Sequence, residues 1–270
     1  MNRSESSGGS SRLSKLSRLI NFGAIPWSSA LLPGECVSCK DYLSPSNHCL
    51  CNPCIADLPW LGSHCKQCAL PFNGAVPPTG KESGIICPDC QQKAPPFRRC
   101  IAPFEYQQPI SHMIRRIKVD AYAPQLRQLS ELLAETISAA YGPDQRPDIM
   151  IPVPLHWSRQ LRRGFNQSQG IAQILSSKLG GSSIHNHCLR RTGYRRPQHL
   201  QGKRQRLRSM NNAFEVRTPK PLEGRTVALV DDVVTTGATA SSAAKSLLAA
   251  GVCAVDIWCI ARTGWHISAA

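Results

Sequence analysis

The chain has 270 residues, 41% of them apolar and 6% aromatic, enough for one large domain or a small and a medium one around a buried core. No run of about 18 apolar residues occurs, which excludes a membrane-spanning helix; the most apolar region, 238–261, is broken by Lys245 and Asp256. The formal charge is +15, and the stretch from Ile149 to Phe214 holds twelve Lys and Arg without one Asp or Glu, a bias that suits a polyanion such as a phosphate ester or nucleic acid better than a solubilising face of mixed sign.

Residues 1–33 are Ser-rich and basic, with Arg3, Arg12, Lys15 and Arg18 but no following apolar stretch of the kind a signal peptide carries. They read as a tail. Leu13, Leu16, Leu19 and Ile20 make a weak helical stripe that would lie on the next domain. With no export signal, a cytoplasmic location is expected.

Residues 34–100 form a cysteine-rich module. Four Cys-x-x-Cys pairs stand in tandem: Cys36 and Cys39, Cys51 and Cys54, Cys65 and Cys68, Cys87 and Cys90. Two such pairs supply four thiolates to one tetrahedral zinc. Disulfides would need an oxidising compartment. Pairing in chain order gives one Zn²⁺ site from Cys36, Cys39, Cys51 and Cys54 and another from Cys65, Cys68, Cys87 and Cys90. Interleaved pairing stays open, as does replacement of Cys51 by Cys49 or of a thiolate by His48 or His64. Both sites are closed and structural, and the metal supplies most of the folding free energy of so small a segment. Two filled tetrathiolate sites lower the effective charge to about +11. The remaining cysteines (Cys49, Cys100, Cys188, Cys253 and Cys259) read mostly as small buried apolar groups.

Pro95-Pro96 marks a boundary, and residues 101–270 read as an α/β domain. Helices are predicted at 110–118 and 124–141, the second from the spacing of Leu126, Leu129, Leu132, Leu133 and Ile137. A strand is predicted at 148–153 and a helix at 167–179, stopped by Gly180-Gly181. Then follow a buried strand at 225–230, a helix at 238–250 closed by Gly251, and a buried strand at 253–260. That βαβ order implies a parallel sheet with helices on both faces.

The chemistry is concentrated at Val227–Thr239 (VALVDDVVTTGAT). Four apolar residues run up a strand, and Asp231 and Asp232 stand at its C-terminal end, where open α/β sheets bind ligands. Thr235, Thr236, Gly237, Ala238 and Thr239 then lead into a helix whose N-terminus favours an anion. Two carboxylates for vicinal hydroxyls beside an anion loop suit a ribose 5-phosphate. An ordinary capped helix accounts for the threonines but not for two adjacent like charges, which cost free energy. Arg159, Arg162 and Arg163 follow the strand at 148–153, and guanidinium forks suit a diphosphate. The later run Arg190–Arg208 reads equally as a loop that closes over the site and as a nucleic-acid track.

These thirteen residues resemble the phosphoribosyl-diphosphate motif of type I phosphoribosyltransferases. More narrowly, the chain resembles the ComF family of phosphoribosyltransferase-like competence proteins. The likeness is carried by Leu31–Pro33, the cysteine pairs, Leu58–Trp60, Ile117-Lys118, Pro152–Leu155, Arg159–Gln167, Arg190–Phe214 and the loop, and it spans residues 30–262. It implies an α/β, type I phosphoribosyltransferase-like parallel sheet with flanking helices behind a zinc-ribbon module, and a link to DNA uptake in natural transformation. It further implies contact of Asp231 and Asp232 with the ribose hydroxyls, directly or through Mg²⁺, and a phosphate held by residues 235–239. The segment after Pro154 would grip diphosphate. Single-stranded DNA and competence machinery are the implied partners beside phosphoribosyl diphosphate. Asn2 follows Met1, so the N-terminal cysteine of a glutamine amidotransferase is not there, and no residues for an acceptor base stand out.

Overall fold

The computed structural model describes residues 34–44, 48–72, 85–142, 145–192 and 213–264. The predicted tail and most of the basic run fall outside them. Two apolar nine-residue strands, β7 (Thr226–Val234) and β8 (Ala254–Arg262), form the centre. They pair in parallel from Thr226 opposite Ala254 to Val234 opposite Arg262. β3 (Ile149–Pro152) lies on the far side of β7 and is followed by β4 (Ser183–Ile184). β1 (Cys100–Ile101) and β2 (Phe104–Glu105) both pair with the outer edge of β8, and every pairing in this six-stranded sheet is parallel.

Period-two alternation sends the strand residues to two faces. Ala228, Val230, Trp258 and Ile260 share a core with Leu129, Leu133, Ile137, Ile171 and Leu175 from α4 (Pro124–Ala140) and α6 (Gln167–Lys178), with α3 (Ile110–Ile117) beside them. Val227, Leu229, Val255 and Ile257 pack on the opposite face against Ala243, Ala244 and Leu247 of α7 (Ala238–Ala249). Small residues let α7 lie close to the sheet. A hairpin, β5 (Leu189–Arg191) with β6 (Phe214–Val216), joins this second core through Leu189 and Phe214.

Asp256, which breaks the apolar run, is fully buried but paired. Arg98 grips it with two bonds of 2.9 and 2.8 Å, and Tyr141 donates at 2.6 Å. The Trp258 indole N–H in turn donates to the Tyr141 oxygen at 2.9 Å. A bidentate guanidinium and a hydroxyl offset the desolvation of that carboxylate.

The cysteine module repeats one local design. α1 (Asn52–Ala56) and α2 (Pro88–Gln92) each begin after a cysteine, Cys51 or Cys87, with proline in the first turn, where its missing N–H costs nothing. Lys40 and Ala69, each directly after a second knuckle cysteine, take φ of 67° and 55°, and their N–H groups return to the Cys36 and Cys65 carbonyls. Cys36, Cys49, Leu50, Cys51 and Leu58 pack into the same core as α3, α4 and α6. Cys49, Cys100, Cys188 and Cys259 are buried as expected of small apolar groups, whereas Cys253 is exposed.

Candidate functional site

β7 continues through both carboxylates to Val234, so Asp231 and Asp232 are strand residues near its end rather than the first residues after it. The cause is pairing: β8 extends opposite them as far as Arg262. Asp231 accepts from Ser168 Oγ at 3.0 Å and from the Asp232 N–H at 2.9 Å. Asp232 meets Lys118 Nζ at 2.8 Å and Gln167 Nε2 at 3.4 Å, and accepts from the Val233 N–H at 2.9 Å. Burial, followed by the neighbouring Asp232 charge, pushes the Asp231 carboxyl up to about 8.

Gln167 and Ser168 reach the carboxylates because Asn166 caps α6 there. Its side chain accepts from the Ser168 N–H at 3.1 Å and donates to the Val153 carbonyl at 3.1 Å, which ties the start of α6 to the end of β3. Sequence reasoning found neither residue as a carboxylate partner, although an Asn before a polar first turn is a helix-start signal. Lys118 stands out in the sequence only within Ile117-Lys118, one of the segments that carry the family likeness.

After Val234 the chain turns through Thr235 and Thr236, both exposed, to Gly237 at φ 76°. A left-handed residue is required at this N-cap, and glycine adopts it without steric cost. Thr236 Oγ1 accepts from the Ala238 N–H at 3.3 Å, and Ala238 and Thr239 open the first turn of α7. Beside the loop is a cleft of about 880 Å³, lined by Thr235, Thr236, Gly237, Lys245, Arg262 and Cys68 among others.

The three candidate arginines fall on a helix the periodicity does not reveal, α5 (Trp157–Arg163). Arg159 and Arg162 are exposed and form no ion pair among the described residues. Arg163 is half-buried and donates to Gln167 Oε1 at 3.3 Å, so it reaches Asp232 through one intervening amide. Of the later run, Arg190 and Arg191 lie on β5, and residues 193–212 are outside the described residues.

The eight knuckle cysteines gather in two groups in chain order, Cys36, Cys39, Cys51, Cys54 and Cys65, Cys68, Cys87, Cys90, with all Sγ atoms of a group within 4.8 Å of one another. Cys39 and Cys51 sulfurs are 3.5 Å apart, and those of Cys68 and Cys87 are 3.7 Å apart. Four sulfurs at about 2.3 Å from a tetrahedral zinc are separated by about 3.8 Å, so both groups fit the metal. Burial opposes the thiolates of Cys36 and Cys65, but backbone N–H donors bring them down to about 6 and about 7. The Cys51 and Cys87 amides are among those donors. His48 instead bonds Glu131 at 2.9 Å, and His64 bonds the Gly62 carbonyl at 2.6 Å.

Residues 27–91 match the double zinc ribbon domain family. The DNA utilization protein YhgH of Escherichia coli (strain K12) is 35% identical over 86% of this chain and 98% of its own length. Competence protein F of Haemophilus influenzae is 30% identical over 84% of this chain and 96% of its own. Among solved structures, the glutamine phosphoribosylpyrophosphate amidotransferase of B. subtilis aligns at 20% identity with a TM-score of 0.34, over 49% of this chain and 25% of that one. Near-complete coverage of a competence protein F and of a DNA utilization protein, at 30% and 35% identity, makes this chain a member of the ComF family of phosphoribosyltransferase-like proteins.

Proposed function

We propose that the protein binds phosphoribosyl diphosphate, or a related ribose 5-phosphate, and serves the handling of DNA taken up in natural competence. The join of β7 to α7 carries the reading. Two adjacent carboxylates, one of them pushed up to about 8, stand immediately before a glycine-turned loop and a twelve-residue helix N-terminus. Carboxylates there accept from the ribose hydroxyls, and the N–H groups and hydroxyls of residues 235–239 hold the 5-phosphate. Arg159, Arg162 and Arg163 supply forks for the diphosphate. The paired carboxylates form a donor set that Mg²⁺ would complete, and Mg²⁺ neutralises diphosphate charge. The corresponding reaction is pentosyl transfer with departure of diphosphate.

Calorimetric titration of phosphoribosyl diphosphate with Mg²⁺ into zinc-loaded protein tests this directly. Wild type should bind, and Asp231→Asn/Asp232→Asn should weaken binding by roughly 100-fold, the loss of two charge-assisted contacts. A folded wild type that gives no heat would remove the ligand from the account.

The DNA side of the reading has its own observation. Trp157 and Leu161, one helical turn apart on α5, are 64% and 77% exposed, next to Arg159 and Arg162. An exposed ring on a helix that also carries guanidinium groups suits stacking on single-stranded bases with neutralisation of their phosphates. Affinity for single-stranded DNA should fall steeply with salt and should drop further in Trp157→Ala; salt-independent binding would refute it.

A further inference from the structure

Arg262 ends β8 with 5% exposure and no carboxylate partner among the described residues. Its guanidinium is spent on backbone carbonyls from three separate segments. Nε donates to Cys68 at 2.9 Å, and Nη1 donates to Val234 at 3.2 Å, to Thr235 and to Thr263 at 2.8 Å. Cys68 belongs to the second cysteine group. Val234 ends β7, and Thr235 opens the anion loop. The main chain of Arg262 is itself fixed, since it sits opposite Val234 in the β7–β8 ladder and its carbonyl accepts from the Tyr106 N–H at 2.9 Å.

A buried guanidinium costs several kcal/mol unless its hydrogens are matched and its charge is answered. The carbonyls match the hydrogens of Nε and Nη1 but leave the charge unanswered. Arg262 and Thr235–Gly237 line the same cleft, so an anion held by the loop would answer it. A neutral residue could fill the space without that cost, so the charge itself has a use.

We propose that Arg262 is a positioning residue that couples the second zinc site to the anion loop. It holds the carbonyls of Val234 and Thr235 in fixed relation to Cys68 and lends its charge to the bound anion. The inference rests on the ligand reading of the preceding subsection. Metal in the Cys65, Cys68, Cys87, Cys90 group orders the Cys68 carbonyl, and through Arg262 the loop. Coupling of two binding sites is reciprocal, so an occupied loop retains zinc in that group. The Cys36, Cys39, Cys51, Cys54 group has its core residues on the α4–α6 side of the sheet, and among the described residues no hydrogen bond joins it to the loop, so its zinc is indifferent to the ligand.

The test is zinc release from the full-length chain to a chromogenic chelator, with and without saturating phosphoribosyl diphosphate. Alkylation of the freed cysteines, read by mass spectrometry, assigns each phase to a group. Release from Cys65, Cys68, Cys87 and Cys90 should slow about tenfold with ligand, and the other phase should not change. Arg262→Lys keeps the charge and loses the fork. It should retain both metals, bind phosphoribosyl diphosphate about tenfold more weakly, and lose the protection. Equal slowing of both phases, slowing of neither, or wild-type affinity and protection in Arg262→Lys would overturn the coupling. The wild-type release experiment decides the matter even if the variant does not fold. Absence of binding to wild type in calorimetry would sink the ligand reading and the coupling together, whereas binding without protection sinks the coupling alone.

Discussion

Asp231→Asn isolates the cost of ionising one carboxyl beside the loop. Asparagine keeps the shape of aspartate and an oxygen for the Ser168 hydroxyl and the Asp232 N–H, but it does not titrate. Burial and the Asp232 charge push Asp231 from 3.8 up to about 8. The folded state therefore holds a proton that the unfolded chain has already released. A carboxyl raised on folding makes stability fall as pH rises between those two values. From pH 6 to pH 8 the wild type should lose about 2 kcal/mol through this group, at about 1.4 kcal/mol per pH unit with the slope easing near 8. The variant should lose none of it. Urea unfolding of zinc-saturated protein at pH 6, 7 and 8 gives the comparison, and subtracting the variant from the wild type cancels histidines and zinc ligands common to both. The difference should change by about 2 kcal/mol across that range. Parallel profiles, with the difference constant to about 0.5 kcal/mol, would refute the assignment of a raised carboxyl to Asp231.

Other consequences are equally open to measurement. Tyr141→Phe leaves the buried Trp258 indole N–H unpaired and takes one donor from Asp256; it should cost about 2–3 kcal/mol in urea unfolding, and a loss under about 0.5 kcal/mol would refute the network's weight. Gly237→Ala meets no atom within 4 Å, so its effect comes from φ 76° alone; a penalty of about 1–2 kcal/mol and weaker phosphoribosyl diphosphate binding are expected by urea unfolding and calorimetry. Elemental analysis of purified protein should give close to two zinc per chain, and Cys90→Ser should bring this to about one. A value below one in wild type contradicts the pairing in chain order.

The long apolar elements were legible because burial on both faces leaves an unmistakable pattern. The predicted helix at 124–141 is Pro124–Ala140, and the one at 167–179 is Gln167–Lys178. The carboxylate pair and the glycine-turned loop were legible because both break local economy. β1 and β2 were not, for two residues carry no period and their partner β8 lies more than 150 residues away. α5 has no buried residue, so no apolar stripe announces it. Lys118, Gln167 and Ser168 become partners of the carboxylates only when α3 and α6 close on β7. Arg262 left no trace at all, because what it binds is backbone, which has the same chemistry at every position.

The sheet is also ordered against the direction of synthesis. β8, the last of the described strands, is the shared neighbour of β1, β2 and β7. A nascent chain that has emerged only as far as β7 can pair β7 with β3 but leaves β1 and β2 with no strand to join. The two metal ribbons, by contrast, are complete by Cys90. A ribosome thus releases a metal-loaded head long before the sheet beneath it can close. Core residues from Cys36 to Leu58 can meet α3, α4 and α6 in that interval, but Trp258 and Ile260 of β8 are still missing from their shared core. Loss of the last strand would strand a zinc-bound, sticky fragment rather than a shortened domain, so translation errors late in the message should be cleared as completely as those near its start.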